Sequence, residues 1–329
     1  MAEAAVYPWL DTCWQHLCEL HRNRRLPHAL MLYGVRGVGK ADFARAFAHY
    51  LLCQSPDGNQ PCGQCRACQL NAVNGHPDLF QLTPEGPDKP IKVDQVRGLT
   101  DFICSTAQQG GYRVVILNPA DALNLSAANA LLKMLEEPGQ DTVLLLLTDR
   151  PGQVMPTIKS RCQRVECPLP QESEAVAFVV DRLDTSAEDA TAILRINNGA
   201  PLLALDYQAN GLETWRTQLI TGLADVLKQR RTAVEVAQSW QKADLELLLG
   251  WIYSLVVDIS RVKLTQTEDI QQLDARNMLL AVARRGNLQA LLKFANLVQD
   301  ERKSLILRQN PNKQMLLERI LLEWVAITR

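Results

Sequence analysis

Four cysteines are the first residues whose spacing could do chemistry. Cys53 is followed by Cys62-Gly63-Gln64-Cys65-Arg66-Ala67-Cys68, a C-x8-C-x2-C-x2-C arrangement. Four thiolates so placed can close a tetrahedron around Zn²⁺ with no open position, so the implied site is structural and not catalytic. Iron–sulfur clusters share the C-x2-C-x2-C spacing, but their usual fourth Cys-Pro is absent here, which favours zinc. Bare thiols, the bland alternative, would leave clustered sulfur open to oxidation without purpose. His76, in Gly75-His76-Pro77-Asp78, could also ligate. Because four sulfurs already fill the shell, it is expected instead to hydrogen-bond the backbone of its loop.

A second pattern, Gly34-Val35-Arg36-Gly37-Val38-Gly39-Lys40-Ala41, matches the phosphate loop G-x-x-x-x-G-K and lies between an apolar run and an amphipathic helix. Gly34, Gly37 and Gly39 would let backbone N–H groups curl around phosphate oxygens, the helix N-terminus would add positive potential, and Lys40 could reach the β- and γ-phosphates. The competing reading is a glycine-rich turn with no ligand. The motif normally ends in Ser or Thr, whose hydroxyl binds Mg²⁺; here the position is Ala41, a methyl. Losing that ligand weakens triphosphate more than diphosphate, so ATP or ADP occupancy stays open.

Hydrolysis also needs a strand ending in Asp for the metal, followed by a Glu that polarises water. The matching run Val114–Leu117 leads into Asn118-Pro119-Ala120-Asp121. Asn118 replaces the Asp and Pro119 the Glu, while Asp121 is placed to cap or hydrogen-bond. Intrinsic ATPase activity is therefore not expected.

These residues need elements to hold them. Apolar runs at Ala29–Tyr33, Leu79–Leu82, Val114–Leu117, Val143–Leu147 and Arg164–Cys167 alternate with helical patterns, which predicts an α/β domain with a five-stranded parallel sheet. Ser126 is expected to cap a helix carrying Ala128, Leu131, Leu132 and Leu135 on one face and closed by Pro138. Pro84–Pro90 reads as a surface loop. Strands stop at Pro168-Leu169-Pro170; short helices follow, one capped by Ser186 with Asp189 and ended by Gly199. From about residue 208 the pattern is helical throughout, with apolar stripes at Leu288, Leu291, Leu292 and Ala295 and at Leu316, Leu317, Ile320, Leu321 and Trp324.

A more specific likeness lies in Ala127-Ala128-Asn129-Ala130-Leu131-Leu132-Lys133-Met134-Leu135-Glu136-Glu137-Pro138, followed by Ser160-Arg161-Cys162. Both resemble the matching regions of the bacterial clamp-loader AAA+ ATPases. Tyr7-Pro8-Trp9-Leu10, the cysteine module and the defective nucleotide motifs are similar to a non-hydrolysing member of that family. The resemblance is dense in motifs to about residue 207 and beyond that rests on helical pattern and length.

It implies an AAA+ domain over 1–167 with a zinc module inserted at 53–68, a helical lid over 168–207 and a helical collar for oligomerisation over 208–329. Thr148 would hold the polar sensor position. Arg161 would reach in trans into the ATP site of an adjacent motor subunit as an arginine finger. Leu202, in Gly199-Ala200-Pro201-Leu202, stands where active relatives carry a sensor Arg and cannot contact a γ-phosphate. By the same resemblance the chain is a stator: with delta and gamma or tau subunits it forms a pentameric ring that opens the beta sliding clamp and places it on primed DNA. It would have no activity of its own within a DNA polymerase holoenzyme. The collar stripes could equally be that domain's own core.

Composition agrees with a globular chain of two or three domains: 329 residues, 47% hydrophobic, formal net charge -1. No part is a basic platform, so DNA contacts should be local or shared. Met1-Ala2-Glu3 opens without a signal-like cluster and no apolar run approaches a membrane span, so a cytoplasmic, replisome-associated place is expected. In that setting the remaining thiols, Cys13, Cys18, Cys104, Cys162 and Cys167, read as reduced, buried hydrophobes. Two other readings remain open: an active motor ATPase, permitted by Lys40 and Arg161 but opposed by Ala41, Asn118, Pro119 and Leu202, and a zinc-dependent nucleic-acid-binding module, disfavoured by the neutral charge.

Overall fold

A computed structural model describes residues 6–86, 89–268, 270–307, 309 and 311–328. Met1–Glu3 and part of the Pro84–Pro90 loop lie outside them, as does the side chain of Cys104. The chain divides into two compact units, Met1–Glu174 and Ala175–Arg329.

The first unit is built on five parallel strands, β1 (Ala29–Tyr33), β2 (Leu79–Leu82), β3 (Arg113–Leu117), β4 (Thr142–Thr148) and β5 (Gln163–Glu166), in the order β2-β3-β4-β1-β5. These are the five runs expected from the sequence. Every residue of β3 and β4 is buried, as strands covered on both faces must be. The connecting helices are α1 (Asp11–Arg22), α2 (Lys40–Leu52), α3 (Arg66–Ala72), α4 (Val93–Cys104), α5 (Leu125–Glu136) and α6 (Pro156–Lys159). Parallel pairing puts the C-terminal ends of β3, β4 and β1 side by side, the edge at which open α/β sheets gather ligands.

Helix α5 starts two residues earlier than expected. Asn124, not Ser126, is its N-cap and accepts from the Ala127 N–H at 2.8 Å, which leaves Ser126 exposed in the first turn. Asn caps as well as Ser, so the earlier residue captures the free N–H. Ala127, Ala128, Leu131, Met134 and Leu135 then form the buried face.

The second unit is entirely helical among the described residues: α7 (Glu172–Leu183), α8 (Ala187–Ile196), α9 (Pro201–Ala209), α10 (Leu212–Leu227), α11 (Ala233–Ser239), α12 (Leu245–Thr265), α13 (Arg276–Arg285), α14 (Leu288–Ile306) and α15 (Lys313–Ala326), the first of them beginning just before the division. Ser186 caps α8 by accepting from the Asp189 N–H, and Gly199 ends it at φ +76° with its N–H on the Leu194 carbonyl. Ala175, Val179, Ala190, Leu194 and Ala204 make one small cluster, and a larger core gathers residues of α10 to α15. Leu316, Leu317, Ile320, Leu321 and Trp324 are all buried in that core, where the Trp324 indole N–H donates to the Leu223 carbonyl at 3.2 Å. The stripe of α15 is thus spent inside its own unit. On α14 Leu291 is buried, while Leu292 is 48% exposed. Among the described residues no helix is long and apolar enough to cross a membrane.

Among the polar groups buried in this unit is a cation. Arg216 is 2% exposed, and its guanidinium donates to both oxygens of Asp274 at 2.8 and 3.1 Å, to Gln272 Oε1 at 2.8 Å, and lies over the Trp251 ring. Removing the carboxylate would strand a buried cation. Asp274→Ala is therefore expected to lower unfolding free energy by about 3 kcal/mol, read from urea midpoints, with Asp274→Asn losing less. An unchanged midpoint for the alanine variant would mean that the pair does not hold the unit.

Candidate nucleotide cleft, metal centre and exposed arginine

The phosphate loop connects β1 to α2 as expected. At its start, a Cβ on Gly34 would lie 2.2 Å from the Cys167 carbonyl oxygen, so only glycine lets the loop pass the end of β5. At its end, Gly39 caps α2 at φ +91°, and a Cβ there would strike the Tyr7 ring at 2.3 Å. Tyr7 stacks on Trp9 at 5.0 Å and donates its hydroxyl to Asp42; the Trp9 indole N–H donates to the Val38 carbonyl. The aromatic segment before α1 therefore packs directly on the loop.

Lys40 is buried, and its ammonium donates to the Gly34 carbonyl at 2.9 Å, to the Val35 carbonyl at 2.7 Å and to Asp149 Oδ1 at 2.5 Å. The sequence did not point to Asp149, the residue after β4, which enters the cleft with its carboxylate directed at Lys40. The nearer Asp42 is also committed, to Tyr7 and to Arg45 Nη2 at 2.5 Å. Ala41 offers a methyl, and Asn118 and Pro119 follow β3 at the cleft edge. Thr148 is buried at the end of β4, where its hydroxyl donates to Asp121 Oδ1 at 2.6 Å and accepts from the Arg150 N–H. Asp121 is thereby a hydrogen-bonding residue, as its place beyond the strand suggested.

The four cysteines come together. Their sulfurs all lie within 4.8 Å of one another, with Cys53 to Cys65 and Cys62 to Cys68 each 3.9 Å apart. A tetrahedron with metal–sulfur bonds of about 2.3 Å has edges of about 3.8 Å, so the donor set fits a thiolate-bound ion such as zinc. The loop is folded to favour thiolates: N–H groups of Cys62, Cys65 and Cys68 point at the sulfurs of Cys53, Cys62 and Cys65 at 3.2, 3.3 and 3.5 Å. Such bonds, chiefly from the Cys65 N–H, lower the Cys62 thiol. At Cys65 burial acts upward, but N–H bonds from Cys68 and Gln54, together with hydrogen bonds from the Cys68 and Cys62 thiols, outweigh it and bring the thiol to about 6. Burial raises Cys53 and Cys68. His76 stands apart from this group; its Nδ1 accepts from the Asp78 N–H at 3.1 Å.

Three of the other thiols, Cys18, Cys162 and Cys167, are buried, and burial raises them to about 11, 11 and 12. Cys13 differs from expectation. It is only half-buried, on the side of α1 facing β5, and donates to the Glu166 carbonyl at 3.0 Å.

Arg161 follows α6 and is 37% exposed. Its Nη2 meets Glu136 Oε1 at 2.5 Å, and its Nη1 donates to the Thr157 carbonyl at 3.1 Å and reaches Ser160 Oγ at 3.5 Å. Both a surface ion pair and an outward guanidinium are thus present. Leu202 lies on α9 in the second unit. Sequence reading did not single out Asp149 and Glu136, which the structure places against Lys40 and Arg161; the available signals were Asp149 directly after Thr148 and Glu136 within the segment before Pro138.

Comparison with known proteins identifies the lineage. The family described as "DNA polymerase III, delta subunit" matches residues 9–171, and "DNA polymerase III, delta subunit, C terminal" matches residues 212–326. DNA polymerase III subunit delta' of Pseudomonas aeruginosa is 39% identical over 326 residues, 98% of each chain. The subunit delta' of Yersinia pestis is 31% identical over 323 residues, 97% of this chain and 95% of that one. Among solved structures, a DNA polymerase III gamma subunit-related protein of Thermotoga maritima aligns with TM-score 0.45 and 21% identity, over 95% of this chain and 100% of that one. With a five-stranded parallel domain, a four-cysteine module and likeness along nearly the whole sequence, this chain belongs to the DNA polymerase III subunit delta' family.

Proposed function

We propose that the chain is the stator of the bacterial clamp loader: a subunit that does not hydrolyse ATP, sits in a pentameric ring with delta and gamma or tau subunits, and helps place the beta sliding clamp on primed DNA. Arg161 serves as an arginine finger for the neighbouring motor subunit. In this reading residues 1–167 form the AAA+ domain, 168–207 the lid and 208–329 the collar, and Cys53, Cys62, Cys65 and Cys68 hold one structural zinc. Gly34, Gly37, Gly39 and Lys40 keep the outline of a nucleotide site, and Leu202 replaces the lid's sensor. A cytoplasmic place at the replisome follows from this role.

The observation that carries this reading is the cleft itself. Ala41, Asn118 and Pro119 supply neither a magnesium ligand nor a base, and the acidic groups around them, Asp42, Asp121 and Asp149, are each bound to a neighbour. The isolated chain with Mg·ATP is expected to turn over nothing above background, with or without DNA. Asn118→Asp combined with Pro119→Glu should not rescue it, because Ala41 still lacks the hydroxyl. Steady turnover by the pure wild-type chain, at rates typical of a motor ATPase, would sink the stator reading.

A further inference from the structure

We propose that Glu136 is a positioning residue that sets the direction of the Arg161 guanidinium; this rests on the arginine-finger reading above. Three observations lead to it. The first is geometry: Glu136 Oε1 takes one N–H of Arg161 Nη2, while Nη1 is held by the Thr157 carbonyl and by Ser160 Oγ. A guanidinium has five N–H donors in a planar fork. With one edge pinned from two sides, Nε and the outer N–H of Nη2 remain for an anion brought from outside; among the described residues they have no other partner.

The second observation is electrostatic. Glu136 is the last residue of α5. A carboxylate there faces the negative end of the helix dipole, which works against the helix. Its placement is accounted for by the cation it meets and not by α5.

The third is exposure. The two side chains are 37% and 50% exposed, and an ion pair in that setting contributes little to stability. What the pair does accomplish is to restrict a long side chain whose many rotamers would otherwise have to be frozen when a triphosphate arrives. Arg161 follows a short helix and Glu136 ends a packed one, so the anchor is the more rigid partner. A neighbouring subunit's polyphosphate, with more charge than a carboxylate, can then engage the free N–H groups without breaking the pair.

The test is a double-mutant cycle in the reconstituted loader, with ATPase kcat and KM measured on clamp and primed DNA. R161A is expected to lower kcat strongly. E136A should lower kcat about tenfold at unchanged KM, E136Q should recover part of that loss because its amide oxygen still accepts from Nη2, and E136A should add nothing in the R161A background. The melting temperatures of the isolated E136A and E136Q chains should match wild type. Wild-type kcat for both Glu136 variants would overturn the positioning role while leaving the finger intact. An equal loss from E136A with and without Arg161 would overturn it too, since Glu136 would then act elsewhere. Wild-type turnover with R161A would sink the finger and the positioning role together.

Discussion

Arg161→Ala is expected to cut ATP hydrolysis by the assembled clamp loader at the affected motor site by on the order of 10³-fold or more, with folding and assembly unchanged. The reasoning is electrostatic. A fixed guanidinium stabilises charge on the transferring phosphoryl group more than on the ground-state triphosphate, so its removal appears in kcat before it appears in binding. Among the described residues the Arg161 guanidinium hydrogen-bonds to Glu136, Thr157 and Ser160, all at the surface. Removing an exposed pair of that kind changes stability by less than about 1 kcal/mol. Arg161→Lys should fail nearly as badly, because a point charge cannot reproduce the planar fork. Because other sites in the ring would keep their own fingers, the measurement should resolve the affected site, for instance with hydrolysis-dead neighbours. Unchanged turnover at that site would remove the in-trans role.

The second large effect is expected from the cysteine module. Metal analysis of the purified chain should return about one zinc per chain, and iron with visible colour would rule out the tetrahedral zinc reading. Structural zinc in small modules contributes apparent binding energies of about 10–16 kcal/mol at neutral pH, nearly all of which is folding energy. Cys68 is buried and begins no strand of the main sheet; it sits on α3, whose first turn is built from the Cys65 and Cys68 contacts. Cys68→Ala, or chelation strong enough to strip the ion, should unfold the segment around residues 53–75 while the five-stranded sheet persists. Hydrogen exchange would read this as lost protection confined to that segment, together with a lower melting temperature. Acidification should act in the same direction, because each bound thiolate must accept a proton before it lets go. A chain with no metal by elemental analysis and full protection over 53–75 would show that the module stands on its packing alone.

Much of the fold could be read from residues close together in the chain. The five strands were visible because both faces of each central strand are covered, which leaves nearly unbroken apolar runs such as Val143–Leu147. The glycine-rich turn between β1 and α2 and the cysteine cluster were legible for the same reason: each is a short motif whose members are set by local geometry. The cap of α5 was misjudged by two residues, since Asn124 and Ser126 are chemically equivalent candidates and only the chain's path chooses between them. The stripe on α15 could not be assigned by pattern, because an apolar face looks the same whether it meets its own unit or a partner.

By itself, then, the sequence determined which groups are available: four sulfurs at metal spacing, a glycine-rich turn with Lys40 and a methyl at Ala41, and a strand that runs into the amide of Asn118 and the ring of Pro119. Tertiary structure alone decided which groups are already spoken for. Lys40 meets Asp149 because β1 lies beside β4, though 109 positions separate them in the chain. Thr148 likewise meets Asp121, and Arg161 meets Glu136. The physical reason is common to all three. Motif and periodicity are properties of neighbours along the chain, whereas the charge on a side chain is answered by whatever the sheet order brings within a few ångströms through space.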